Sequence, residues 1–384
     1  MIKKSFFADK RSVIFLFING PHHVYHLIMP ALRFVALKNG IETIFVSGNP
    51  VNTQIINNTK TITGINNFTL IDIHLPLRYR LKNYKNRLYP PVYTRIKKII
   101  KYLDNAHAII STSHNFPEYL SRYGIKIPTL FYLYHGTGTR EYGFETNLEI
   151  FDHILIPGKY HRDRLKKSLS LKDGQLEMIG KPKLDYLKIK ISENKRIFKN
   201  ENPIFYYNPH WEMELSSYLK WKDIILKFFK ENNNYNLIFS PHPLVGHLSI
   251  KTGYEIKEKN IVEDNILVDM GSNQCLDGTY TSIADIYIGD ISSMVTEWVL
   301  QKPRPCIFIN AHNVDWKDND NYYMWKFGKV VNTLKEFEES IIDTTSHNQY
   351  EKIQKKLKNE FIYTADKSSS DLFAEFITKK VCHT

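Results

Sequence analysis

Short, almost wholly apolar runs alternate with longer, mixed stretches through the first half of the chain. SVIFLFI at 12–18 and IETIFVS at 41–47 flank a helix expected over 24–38, and FTLIDI, AHAIIST, PTLFYLY and DHILIP follow, separated by polar or helix-like sequence. Runs this short, rich in β-branched and aromatic residues and without polar alternation, read as strands buried on both faces. Strands and helices in succession give a parallel, layered α/β sheet. The alternation pauses at IGKPKLDYLK, residues 179–188, and at the charged, asparagine-rich ISENKRIFKNENP that follows. It restarts with PIFYYN at 203–208, a helix over 216–231, YNLIFS, NILVDM, ADIYIG, a helix from Ser292 and PCIFIN at 305–310, and ends in a polar, helical stretch from Leu334 to Val381. The pattern predicts two Rossmann-like α/β domains facing across a cleft. The first spans residues 1–185, the second 186–365, and a terminal helix at 366–384 packs back on the first.

Four of the apolar runs end in a compact polar motif: LYHGTGT at 133–139, YYNPHWE at 206–212, FSPHPL at 239–244 and YIGDISSMVTEW at 287–298. In open α/β sheets, ligands sit outside the carboxyl ends of the strands, where all four motifs would project. In the last of them, Asp290, Ser292 and Ser293 follow a strand and open a helix. Free backbone N–H groups, hydroxyls and the positive end of the helix dipole would gather there, which suits a phosphate or diphosphate, although Asp and Ser are also ordinary caps. His242 stands between two prolines that stiffen its backbone, so its ring is aimed with little entropy left to lose. His135 borders Gly136 and Thr137 in a loop where glycine lets a ligand come close, and an imidazole with an ordinary pKa near 6.5 can accept a proton at neutral pH. GPHHVYH at 20–26 brings His22, His23 and His26 together at a helix start that would line the cleft. No carboxylate or cysteine accompanies them, so a metal site is not expected.

Length and charge narrow the class. A chain of 384 residues is long for one core, and no apolar run reaches the length of a bilayer span. Cys275, Cys306 and Cys382 are odd in number and far apart, so they read as reduced thiols of a cytosolic protein. The net charge of +12 calls for an anionic partner. From Arg78 to Lys101, nine Lys and Arg without an acid interleave with Tyr79, Tyr84, Tyr89 and Tyr93, a composition that suits an anionic membrane surface and equally a solvated basic helix face. No nucleic-acid-binding motif accompanies the charge. Neither a P-loop nor a G-x-G-x-x-G fingerprint is present, which removes support for nucleotide hydrolysis and for dinucleotide redox chemistry.

HGT at 135–137, GKPKLD at 180–185, NPHW at 208–211, SPHP at 240–243 and the block from Ala284 to Ile309 together resemble, in the same order, the motif series of the CDP-glycerol glycerophosphotransferases. These are teichoic-acid and capsule polymerases that move a polyol phosphate from a CDP-linked donor. The resemblance implies a GT-B fold, a CDP-linked donor on the C-terminal domain, and a glycan or lipid-linked acceptor approaching from the N-terminal one. It implies His135 as general base, with His242, Ser292 and Ser293 on the donor phosphates, no cofactor, and a peripheral place on the inner face of the membrane. Gly136, Thr137, Asn208, His210, Asp290 and Lys181 complete the expected donor and phosphate contacts. The sequence departs from the family pattern at Gly138, at Asn208 to Trp211, and at Glu297, which stands where an aspartate is common and is expected to reach a donor ribose or polyol. A nucleotide-sugar GT-B glycosyltransferase would use the same cleft, and a catalytically silent binder of anionic glycans or membranes is the reading from another class.

Overall fold

The computed structural model describes residues 12–73, 92–103, 106–124, 128–136, 144, 148–191, 197–242, 245 and 261–382. The chain forms two compact units, one comprising Met1–His135, Phe144–Tyr186 and Phe361–Thr384, the other Gly136–Gly143 and Leu187–Glu360.

In the first unit, strands β1 (Ser12–Phe17), β2 (Glu42–Ser47), β3 (Thr69–Asp72), β4 (Ala108–Ser111), β5 (Thr129–Leu133), β6 (His153–Ile156) and β7 (Leu176–Met178) form one sheet in the order β3-β2-β1-β4-β5-β6-β7. Every pairing in it is parallel. The central strands have both faces covered, as their unbroken apolar sequence requires; β1 is buried at all six positions. The expected helix after β1 begins earlier than its apolar pattern, at Pro21, because proline's fixed φ and missing N–H suit the first helical position. That helix, Pro21–Ala36, packs against the C-terminal helix Ser369–Cys382. Phe373 and Ile377 are fully buried there, each worth roughly 1.5–3 kcal/mol, and Arg33 Nε donates to Asp371 Oδ1 at 2.5 Å.

The second unit carries β8 (Ile204–Asn208), β9 (Asn236–Phe239), β10 (Ile261–Val262), β11 (Ile266–Val268), β12 (Ile286–Gly289), β13 (Cys306–Ile309) and β14 (Lys329–Val331), in the order β10-β11-β9-β8-β12-β13-β14. Its pairings are parallel except β10 with β11. Tyr207 stacks on Phe239 at 5.1 Å between ring centroids inside this core, and helix Tyr218–Glu231 adds Trp221, Ile225 and Phe229.

Strand order reverses between β1 and β4 in the first sheet and between β8 and β12 in the second. These are the switch points at which open α/β sheets leave a crevice past their carboxyl edges. Among the described residues no helix is long and apolar enough to cross a membrane. Of the basic stretch from Arg78 to Lys101, residues 78–91 lie outside the described residues. The helix Val92–Leu103 buries Ile96, Ile99 and Leu103 and exposes Lys97 and Lys98.

Candidate active site

In the second unit, one carboxylate ties the end of β12 to the loop after β8. Asp290, just past β12 and 1% exposed, accepts from the His210 N–H at 2.9 Å, from the Ser217 N–H at 2.6 Å and from the Ser217 hydroxyl at 2.9 Å. Burial pushes its pKa up to about 6, against the pull of those donors. With its oxygens engaged below the surface, Asp290 braces the loop after β8, and its charge would repel rather than hold a phosphate. Asn208 links β8 to β9 by donating Nδ2–H to the Ser240 carbonyl at 2.6 Å.

The loops above this brace carry the rings. His242 donates its backbone N–H to the Pro209 carbonyl at 3.0 Å and accepts from Val245 N at 2.8 Å, which pins the loop after β9 to the loop after β8. The His242 ring stands 6.1 Å from that of His210 and 6.4 Å from that of Trp211, centroid to centroid. His210 Nδ1 accepts from the Glu212 N–H at 3.1 Å, so the proton of the neutral ring sits on Nε2. Ser292 is the N-cap of helix Ser293–Gln301, its Oγ accepting from Met294 N at 3.2 Å, and the first turn of a helix is where backbone N–H groups can meet an anion. Ser293 opens the helix. Glu297 lies a turn further in and is buried close to Tyr206.

Next along the edge, Asp269 follows β11 and was not singled out in the sequence. It accepts from Gly271 N at 3.1 Å, Ser272 N at 2.8 Å and the Tyr280 hydroxyl at 2.5 Å, and also from the Ser272 hydroxyl. Its signal was present in NILVDM-GS, another apolar run ending in an acid and a small polar residue.

The first unit presents a cluster of imidazoles at the β1/β4 switch point. His135, beyond β5, lies with its ring 4.0 Å from that of His23 and 6.1 Å from that of His26, while His22 and His23 are 4.4 Å apart. Tyr132 Oη is 3.5 Å from His135 Nδ1. Burial, followed by the neighbouring His22, Lys181 and His114, pushes the His135 pKa down to about 3, with a bond to the Thr112 carbonyl opposing the shift. Its imidazole is therefore neutral at pH 7. Lys181, itself 1% exposed, donates Nζ–H to the His135 carbonyl at 2.7 Å and holds that loop from below. The lysine is aimed by the motif around it. Gly180 adopts φ 82°, and a Cβ there would run into Ser369 and the Tyr363 carbonyl, so only glycine fits. Asp185 then accepts from the N–H and the hydroxyl of Ser370, both at 2.8 Å. Gly136 is half-buried beside His135, and Thr137 lies outside the described residues.

The sequence-derived site residues thus fall into two groups: His135 and Lys181 at the first sheet, with Gly136 next to His135 in the chain, and Asn208, His210, His242, Asp290, Ser292 and Ser293 at the second. Among the described residues no cluster of His, Cys, Asp and Glu suits a metal ion.

Residues 80–379, more than half of the chain, match the family model described as CDP-Glycerol:Poly(glycerophosphate) glycerophosphotransferase. The chain belongs to that family. It is a glycerophosphotransferase with CDP-glycerol as donor, and the nucleotide-sugar glycosyltransferase reading is not favoured. Among solved structures it is similar to the wall teichoic acid polymerase TagF, with a TM-score of 0.65 and 15% identity over 97% of this chain and 90% of that one. A second structure of that polymerase, soaked with CDPG, aligns with a TM-score of 0.60 and 15% identity over 97% of this chain and 89% of that one. The S. aureus MnaA–UDP structure aligns with a TM-score of 0.62 and 11% identity over 97% and 96%. These likenesses establish the GT-B fold. No curated protein matches the sequence.

Proposed function

We propose that this glycerophosphotransferase works by in-line displacement at phosphorus, with His135 as the base that takes the proton of the acceptor hydroxyl. The attacking oxygen forms a P–O bond to the donor's glycerol phosphate as the bond to the CMP oxygen breaks, and CMP leaves with the electron pair. The observation that supports the assignment is the place of the His135 ring, past the carboxyl end of β5 and within an imidazole cluster, where ligands of open α/β sheets sit.

On the second unit, His242 and His210 beside the first turn of helix Ser293–Gln301 hold the donor diphosphate and stabilise the charge that develops on departing CMP. Fixed donors aimed at developing charge are usually a large catalytic contribution. Asn208 and Asp290 act by fixing the two loops, Lys181 by fixing the His135 loop, and Glu297 reaches toward the donor's ribose or polyol. The basic residues between Arg78 and Lys101 keep the enzyme on an anionic membrane face, where a lipid-linked or capsular acceptor would be met.

The test is CMP release from CDP-glycerol by purified His135→Asn, compared with UDP-sugars as donors. Loss of kcat by about 10²–10⁴-fold, the usual weight of a positioned base, is expected with folding intact. Full turnover in that variant removes the base.

A further inference from the structure

Thr112 meets the first helix through its side chain: its Oγ1 lies 3.0 Å from His23 Nδ1. The Asn19 amide also approaches His23 Nδ1, at 3.4 Å. An amide nitrogen can only donate, so Nδ1 is the acceptor and the ring proton of His23 resides on Nε2. The Thr112 hydroxyl then donates to the same nitrogen, which orients the His23 ring. That ring lies against His135 with centroids 4.0 Å apart and planes at 44°. Thr112 follows β4, and Asn19 and His23 follow β1, so the brace spans the switch point of the first sheet.

We propose that His23 is a positioning residue for His135, acting through ring contact while Thr112 and Asn19 hold its own ring in place. The inference rests on the reading of His135 as base and adds to it the device that sets its orientation and protonation. The His23 ring covers a face of His135 that water would otherwise solvate. The groups facing His135 are His22, His23 and His26 from the first helix, His114 after β4, Tyr132 on β5 and Lys181 after β7. All but tyrosine are basic, so opening the site to water is what would let His135 take a proton.

The experiment combines steady-state CMP release with NMR titration of labelled histidine in the full chain. His23→Ala is expected to lower kcat by about tenfold to a hundredfold, a part of the full weight of a general base. It should move the acid limb of the kcat/KM profile upward toward pH 6.5 and raise the His135 titration midpoint by at least one pH unit, with donor KM little changed. His23→Phe, which keeps a ring but not the hydrogen bond, should leave the His135 midpoint low while still losing kcat. Thr112→Ser should retain activity and Thr112→Val lose it. A His23→Ala enzyme with a wild-type His135 midpoint and wild-type kcat overturns the inference, as does one whose only defect is a raised KM. The NMR midpoint does not depend on turnover, so failure of His135 as base would appear in His135→Asn and remain separate from failure of the brace.

Discussion

Two single residues carry opposite tensions. His161 is fully buried with neither ring nitrogen hydrogen-bonded, enclosed by Tyr134, Phe144, Tyr160 and Phe361 at centroid distances of 5.4–5.9 Å. Desolvated polar atoms cost about 1–3 kcal/mol, so His161→Phe is expected to stabilise the protein by about that much in urea unfolding. Asp290 is the reverse case, a buried charge whose partners are all present. Asp290→Asn turns an NH2 toward N–H donors and should destabilise by about 2–4 kcal/mol, given roughly 1.5–3 for a bond to a charged group. The residues with chemistry were legible because strand ends are marked by polar letters after an apolar run. Their division of labour was not. HGT and GDISS looked alike as ligand loops, yet Asp290 turned inward to bind backbone donors more than 70 positions away in sequence. Thr112 went unnoticed because its hydroxyl meets His23, 89 positions away in the sequence.

At the scale of elements, helix starts and glycine turns set the site. Ser292→Ala removes the cap of helix Ser293–Gln301 and should cost about 1 kcal/mol of stability, together with weaker CDP binding measured by calorimetry. Gly180→Ala places a side chain at positive φ against Ser369 and should cost more, roughly 1–2 kcal/mol from the backbone alone, with a fall in turnover as Lys181 and the His135 loop shift. The buried strands were readable as solid apolar words such as SVIFLF and YYN. β7, β10 and β14 were not, since two or three residues at or near a sheet edge carry too little pattern and are fixed by their neighbours.

For the molecule as a whole, the buried histidines of the first unit and Asp290 of the second respond to acid in opposite senses. His135 and His161 in the first unit are pushed down to about 3 from 6.5. Relative to neutral pH, both cost the fold stability as pH falls from 6.5 toward 3, because the unfolded chain binds the proton first. Asp290 in the second is pushed up to about 6 from 3.8, so its contribution is full below pH 3.8 and declines as pH rises through 6. Hydrogen exchange between pH 7 and 4, corrected for intrinsic rates, should show protection falling in β1, β4 and β5 while β8 and β12 hold. A uniform response would contradict the assignment. Two Rossmann-like halves were legible because the alternation of strands and helices occurs twice with a charged pause between, and the GT-B class followed from the motif resemblance, whereas the composition of each unit depended on contacts made far apart along the chain.

The docking of Ser369–Cys382 onto Pro21–Ala36 means that the first-encoded unit is finished last. During synthesis, residues 187–360 leave the ribosome before the helix that covers the face of Pro21–Ala36, so the later unit has its complete set of segments first. The earlier one must wait with an apolar flank open to water, and it is during that interval that chaperones or aggregation would act on it.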